Sequence, residues 1–401
     1  MSDGGSIGAP CLAQLSKYHM HVGIDIRALT GEYPTGVASY TLSLTRALAN
    51  LAPEVKFSLF ASGSSAALAR VPRIDLPNVQ HHHLHTPNRL LSLRFMAPFG
   101  PRLEDFLPEP PDVWIFPKFD FVATRLPYLL TIHDLAFELF PQFITRKEHA
   151  YQRLLNIRGL AEGAAKILAV SANTANDLQL RWGLPANKIA VTPLGVDQTL
   201  FAPREQPSDR SFRAMYDLNR PYFLTLATQE PRKNQEAILE AYGIYRQSGG
   251  APYPLVMAGT DGWKMRQFHR LLSNHAYRDD IWIIGYVPEK HKPALMRGAT
   301  AFLFPSFYEG FGLPPLEALA CGVPVITGVQ GSLPDILGNN ALFVDPFNVN
   351  DLARAMLVVA TEQKTSAFAE RRMRGLEQAQ RYTWERTAAA TLQAVAQVTR
   401  R

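Results

Sequence analysis

The sequence predicts an α/β protein made of two doubly wound domains in tandem. Short apolar runs alternate with stretches of helical spacing along most of the chain, the pattern of a parallel sheet covered by helices. A polar, proline-punctuated stretch from Pro203 to Asp209 interrupts that alternation, which then restarts. The length of 401 residues, 47% hydrophobic and 19% charged, is enough for more than one core and excludes disorder throughout.

The first domain opens with His21-Val22-Gly23-Ile24-Asp25-Ile26-Arg27, an apolar run that ends in a Gly/Pro-bearing loop, Gly31 to Gly36. From Val37 the apolar positions Val37, Tyr40, Leu44, Leu48 and Leu51 have helical spacing, and Val55 to Phe60 then alternates like a strand. Further strands are expected at Val113–Phe116, Tyr128–Ile132, Ile167–Val170 and Ile189–Val191, with helices over Glu148–Ala164 and Asn173–Trp182. The second series has strands at Tyr222–Ala227, Leu255–Ala258, Ile281–Ile284, Ala301–Phe304, Val323–Thr327 and Ala341–Val344. Its helices are Gln235–Gln247, Trp263–Ser273, Glu289–Arg297 and Pro315–Ala320. Tyr382-Thr383-Trp384-Glu385-Arg386-Thr387-Ala388 begins a closing helix. The expected division is a disordered leader over residues 1–18, domains over 19–200 and 201–380, and the closing helix over 381–401. Ligands of open α/β sheets bind at the carboxyl ends of strands, so two such sheets facing one another place the active site in the cleft between them.

The charge balance, 41 Lys+Arg against 35 Asp+Glu for a net +6, suits an anionic partner only if the excess is local. Cys11 and Cys321 are too few and too distant in sequence for a disulfide framework or a cysteine metal site, and a reducing cytoplasm is the simplest compartment. Residues 1–18 lack the basic start and apolar core of a signal peptide, and no run of about 18 apolar residues appears. Nucleic-acid motifs, a phosphate-binding Gly-x-x-x-x-Gly-Lys loop and a Gly-x-Ser-x-Gly elbow are absent. His81-His82-His83-Leu84-His85 lacks a partnered carboxylate and reads as a surface or edge strand rather than a metal site.

The most informative segment runs Ser306-Phe307-Tyr308-Glu309-Gly310-Phe311-Gly312-Leu313-Pro314-Pro315-Leu316-Glu317-Ala318. A buried strand delivers one carboxylate, glycines let the backbone approach a ligand, and prolines open a helix that carries a second carboxylate in its first turn. This segment resembles the donor signature of the retaining glycosyltransferases of family four, and the resemblance covers about residues 20 to 390. It implies the GT-B fold, with two Rossmann-like domains and a C-terminal helix that returns to the first of them. It also implies that Glu317 binds the donor ribose, that Glu309 faces the transferred sugar, and that backbone amides around Gly310, Phe311, Gly312 and Leu313 contact sugar and diphosphate.

Other segments acquire roles through the same resemblance. Glu230-Pro231-Arg232-Lys233-Asn234 follows a strand, and Arg232 and Lys233 match a pyrophosphate clamp, which needs one bidentate and one point cation. Many relatives carry an additional Arg where this chain has Ala227-Thr228-Gln229, so the clamp rests on that pair. Tyr286 and Val287, in Gly285-Tyr286-Val287-Pro288, border the nucleobase through their backbone. Gly36 and Val37, in Pro34-Thr35-Gly36-Val37, match a glycine loop near the diphosphate or acceptor, and His133 matches a histidine near the transferred sugar. No side chain is an evident nucleophile and no Asp-x-Asp motif is present, so metal-independent transfer without a cofactor is expected.

The branch it most resembles transfers mannose or rhamnose in polysaccharide assembly, which makes GDP-mannose the expected donor, with UDP-glucose and dTDP-rhamnose open. The expected acceptor is a glycan or lipid-linked oligosaccharide. The stretch Asn88 to Arg102, with Arg146, Lys147, Arg153 and Arg158, suits either an anionic membrane surface or a core-capping loop with snorkelling arginines. A sugar-nucleotide epimerase of the same fold and an inert nucleotide-sugar-binding subunit are the rival readings.

Overall fold

The computed structural model describes residues 20–33, 35–362 and 365–399. The expected leader, Cys11 and Pro34 lie outside the described residues. The described chain forms two compact units. One comprises the chain through Leu135, Ala150–Gly195 and the segment from Trp384; the other comprises Ala136–His149 and Val196–Thr383.

The first unit holds seven parallel strands, β1 (His21–Asp25), β2 (Lys56–Ser62), β3 (Val79–Leu84), β4 (Val113–Phe116), β5 (Tyr128–Ile132), β6 (Lys166–Ala169) and β7 (Ile189–Val191). Their order is β3-β2-β1-β4-β5-β6-β7, so the winding reverses beside β1. Helix α1 (Gly36–Leu51) starts at Thr35, whose hydroxyl accepts from the Ala38 amide, and buries Tyr40, Leu44 and Leu48. Helix α2 (Asn88–Met96) and helix α3 (Ala172–Trp182) follow later in this unit. β2 is buried along almost its whole length and does not alternate as expected, because a central strand of a doubly wound sheet is covered on both faces. The histidine run forms the edge strand β3, where His82 pairs with Ser58 and the His81 ring lies at 3.2 Å from the Ile74 amide. The expected helix over 148–164 is two helices, Arg146–Leu155 and Ile157–Gly163, broken at Asn156. Asn156 adopts a left-handed φ of 48° and caps the second helix through Gly159.

The second unit holds six parallel strands, β8 (Tyr222–Leu226), β9 (Leu255–Ala258), β10 (Ile281–Gly285), β11 (Ala299–Phe304), β12 (Val325–Gly328) and β13 (Leu342–Val344), in the order β10-β9-β8-β11-β12-β13. Helix α4 (Gln235–Gln247) packs Tyr242 and Tyr245 into a core with Phe223, Leu255, Met257 and Phe268. Helices α5 (Lys292–Gly298) and α6 (Leu313–Ala320) follow β10 and β11. The winding reverses between β8 and β11, and a crevice at the carboxyl ends of those strands is the position this topology reserves for a ligand.

The chain passes between the two units four times. Ala136–His149 belongs to the second unit, whereas the continuous range 19–200 assigns it to the first. Its anchor is polar: Trp263 donates its indole N–H to the Phe143 carbonyl at 2.7 Å, and Lys264 donates to the carbonyls of Gln142 and Ile144. The closing helix α7 (Trp384–Thr399) belongs to the first unit, as expected. There Trp384 packs on Tyr40, and the Thr387 hydroxyl donates to the Pro193 carbonyl at 2.6 Å.

Candidate active site

The two loops at the second unit's reversal point, after β8 and after β11, carry the charged residues singled out from the sequence. After β8 the chain makes a single tight turn over Pro231–Lys233 and enters α4 at Asn234, which has a left-handed φ of 56°. The Asn234 side-chain Nδ2 donates to the carbonyls of Pro305 and Pro346, so the turn is stitched to the loops after β11 and β13. The Phe307 amide adds a further bond to the Arg232 carbonyl. Both cations therefore emerge on a backbone that two neighbouring loops hold in place.

Arg232 donates to the Tyr308 carbonyl at 2.8 Å and to Glu230 at 2.7 Å. Its guanidinium also lies 3.0 Å from Glu309, and Lys233 lies 2.6 Å from the same carboxylate oxygen. Lys233 sits over the Phe304 ring as well. Burial alone would raise the Glu309 pKa, but the two cations and the hydrogen bond from Lys233 overcome it and hold the carboxyl at about 2. Glu309 is thus ionised throughout the physiological range and sits where its charge is shared by both cations.

The backbone of Glu309 is fixed from a third direction. Ser332 donates both its amide and its hydroxyl to the Glu309 carbonyl at 3.0 Å. Gly331 passes so close that a Cβ there would stand 2.4 Å from the same oxygen, and its φ of 69° is left-handed. Gly312 caps α6 with a φ of 91°. Pro314 and Pro315 lack amide hydrogens, so the donors this helix start can offer an anion come from Gly312 and Leu313. Gly310 and Phe311 complete the turn between Glu309 and that helix start, with Phe311 packed on Tyr382.

Glu317 lies on α6, 4% exposed. Burial raises its pKa to about 7, Lys292 opposing and Glu289 reinforcing the rise. Tyr286 and Val287 follow β10, whose last residue, Gly285, accepts from the Gly259 amide at 2.7 Å. Val287 is buried, and burial raises the pKa of the Tyr286 hydroxyl. The Ala227-Thr228-Gln229 segment, where many relatives carry an arginine, is zipped to the loop after β9: Gln229 donates its amide to the Thr260 carbonyl, and a Cβ on Gly259 would meet the Ala227 carbonyl at 1.9 Å.

Beside this cluster, Phe307 stacks on Phe143 at 5.1 Å and meets Phe347 at 4.8 Å, and Tyr308 meets Phe140 at 5.7 Å. The segment 136–149 therefore packs directly against the loop that carries Glu309. A cavity of about 670 Å³ in the same unit lies elsewhere, at the amino ends of β8 and β11, with Arg213, Arg220 and Phe368 among its lining. Glu205 and Asp280 pair with those arginines, and the cavity is separate from the cluster described above.

His133, Gly36 and Val37 belong to the first unit. His133 directly follows β5, donates from Nε2 to the Pro117 carbonyl at 2.8 Å, and meets the Tyr40 ring edge-on at 4.8 Å. Burial lowers its pKa, against the opposing effects of Pro117 and Asp134. In the neutral ring Nδ1 is then the acceptor. Gly36 and Val37 form the first turn of α1, the helix that also carries Tyr40, so these three residues share one corner of the first sheet. Sequence reasoning missed Glu230, Asn234, Gly331, Ser332, Glu289 and Lys292. Of these, Glu230 and Asn234 lie within the segment quoted for the cations and Glu289 directly follows Gly285-Tyr286-Val287-Pro288, but none was given a role; Gly331, Ser332 and Lys292 lie outside every segment singled out for the site.

Comparisons with known proteins bear on the family and the fold. Residues 34–200 match the family model described as Glycosyltransferase Family 4, and residues 210–375 match the model described as Glycosyl transferases group 1. The O-antigen chain mannosyltransferase B of Escherichia coli is 29% identical over 375 residues, 90% of this chain and 96% of that protein. Among solved structures, a sucrose-phosphate synthase from Thermosynechococcus elongatus superposes with a TM-score of 0.73 at 19% identity, covering 94% of this chain and 98% of that one. WaaG, a glycosyltransferase involved in lipopolysaccharide biosynthesis, superposes with a TM-score of 0.66 at 14% identity, covering 92% and 98%. With both units matched by paired family models and both sheets wound as that fold requires, the chain belongs to glycosyltransferase family 4 and is a hexosyltransferase of the GT-B fold.

Proposed function

We propose that this enzyme transfers mannose from GDP-mannose, with retention of anomeric configuration, to a glycan or lipid-linked acceptor during cell-envelope polysaccharide assembly. The observation that carries the reading is the convergence of Arg232 and Lys233 on Glu309 in the crevice after β8 and β11. The choice of mannose is supported by the relative from Escherichia coli, whose match spans nearly the whole of both chains.

The chemistry asked of the site is charge stabilisation. As the bond from the anomeric carbon to the diphosphate breaks, negative charge grows on the leaving oxygen. Arg232, Lys233 and the amides of Gly312 and Leu313 are the groups to receive it. The acceptor hydroxyl forms the new bond on the same face of the sugar, and its proton passes to the departing phosphate. Glu309 carries the full negative charge needed to orient sugar hydroxyls and to stabilise positive charge at the anomeric carbon. His133 is a further candidate, its Nδ1 an acceptor for a sugar hydroxyl. With two cations assigned to the diphosphate, the reaction proceeds without a metal.

We place the enzyme at the inner face of the plasma membrane. Among the described residues no helix is long and apolar enough to cross a bilayer. Helix α2 buries Leu91 and Phe95 but turns Leu90, Leu93 and Met96 outward, with Phe99 fully exposed after it and Arg89, Arg94 and Arg102 interspersed. Such an outward apolar face rimmed by arginine suits an anionic lipid surface.

Thermal stabilisation by nucleotides tests the donor, because a ligand that binds only the folded state raises apparent stability by mass action. A shift with GDP and GDP-mannose supports the proposal, a shift with UDP or dTDP forms alone replaces the donor, and no shift with any favours an inert subunit.

A further inference from the structure

Glu317 presents a problem that the donor reading alone does not solve. A carboxylate that accepts hydrogen bonds from two ribose hydroxyls must be ionised, yet this one is almost fully buried on α6, where desolvation favours the protonated acid. Among the described residues, no direct ion pair neutralises it.

A cation is nevertheless at hand on the neighbouring helix. Lys292 opens α5, which packs against α6, and its ammonium donates to Glu289 at 2.5 Å with only 19% of the side chain exposed. The charges facing this spot can be enumerated. Lys292 and Glu289 act on Glu317, Tyr286 adjoins Lys292, and the buried Cys321 thiol lies one turn further along α6, itself facing Arg297 and Asp209. Of the groups acting on Glu317, Lys292 alone favours its ionised form.

We propose that Lys292 is a positioning residue for donor binding, its ammonium supplying the countercharge that lets Glu317 meet a ribose diol as a carboxylate, with Glu289 competing for that same ammonium. The inference rests on the reading of Glu317 as the ribose contact. It makes donor affinity depend on pH in the neutral range, and it gives the two partners of one ion pair opposite effects. Removing Lys292 makes Glu317 harder to ionise. Removing Glu289 releases the ammonium to Glu317 and makes it easier.

The test is calorimetric titration of GDP and UDP, each beside its 2′,3′-dideoxy analogue, from about pH 5.5 to about pH 8.5. The readout is the ratio of ribo to dideoxy affinity, in which titration of the phosphates themselves cancels. In the unmodified enzyme this preference falls as pH drops below about 7, approaching tenfold per pH unit. Lys292→Met moves the break to higher pH and costs about tenfold in ribo affinity at neutral pH, Lys292→Arg restores the original profile, and Glu289→Gln moves the break to lower pH. An unmoved break in Lys292→Met, with the ribo preference intact, overturns the inference alone. Loss of the ribo preference in the unmodified enzyme, or failure of both diphosphates to bind, overturns the underlying reading of Glu317 as well.

Discussion

Replacing Glu309 by glutamine removes one charge and almost no volume from the centre of the site. The consequences can be worked from the geometry. In the folded protein the Glu309 carboxyl titrates at about 2, against 4.5 for the free side chain. A gap of that size, at about 1.4 kcal/mol per pH unit, corresponds to about 3 kcal/mol of stability. Because the folded value is the lower one, this contribution is present above pH 4.5 and is lost as pH falls through 2. Glu309→Gln therefore lowers the melting temperature at pH 7 by about 6–12 °C for a domain of this size class. The gap between the two proteins narrows as the pH is taken below about 4. Arg232 keeps Glu230 and the Tyr308 carbonyl as partners, and Lys233 keeps the Phe304 ring while its ammonium is released from the carboxylate. Nucleoside diphosphate affinity is accordingly retained or increased, while transfer is abolished. The assay is a series of thermal melts across pH, followed on the transition that nucleoside diphosphate shifts, beside transfer rates on the same preparations. Equal melting temperatures at pH 7 would refute the electrostatic argument, and parallel loss of nucleotide binding and transfer would refute the role.

Three further outcomes are expected. Arg232→Met lowers kcat/KM for transfer by about 100-fold or more, the scale seen when one preorganised charge donor is removed, and weakens diphosphate binding in calorimetry. Gly331→Ala forces the Glu309 carbonyl to move, because its Cβ would stand 2.4 Å away; transfer falls while the far-ultraviolet circular dichroism of the folded protein is kept. Leu93→Asp combined with Phe99→Asp, at positions 64% and 101% exposed, leaves melting temperature and diphosphate binding unchanged but reduces co-sedimentation with vesicles rich in anionic lipid.

Much of the fold is legible in the sequence because a doubly wound sheet has a simple signature. Its strands are short apolar runs, its helices have one apolar stripe, and Thr35 marks a helix start chemically, whereas the left-handed cap at Asn156 leaves no apolar signal and the expected helix runs through it. Arg232, Lys233 and Glu309 are legible for a related reason: they directly follow apolar strands, at the ends where this topology receives ligands. Their convergence on one carboxylate oxygen is not legible, since it depends on the pairing of β8 with β11, strands separated by two others in sequence. Gly331 and Ser332 come from the loop after β12 and act through backbone geometry, which leaves no charge pattern to notice. Lys292 and Glu289 look like an ordinary exposed helix start, and only the packing of α5 on α6 lets their charges act on Glu317. The segment 136–149 misled for a tertiary reason as well: its attachment relies on the indole of Trp263 and the ammonium of Lys264 finding main-chain carbonyls.

The central claim is transfer of mannose from its nucleotide with retention. Its most direct test is incubation of the enzyme with GDP-mannose and a mannose-terminated lipid-linked acceptor, with the one-bond carbon–proton coupling at the new anomeric centre read by nuclear magnetic resonance. The account predicts stoichiometric release of GDP and an α-mannosyl product, the configuration of the donor. A β-mannosyl product, or GDP-mannose left intact while another nucleotide sugar is consumed, would contradict it.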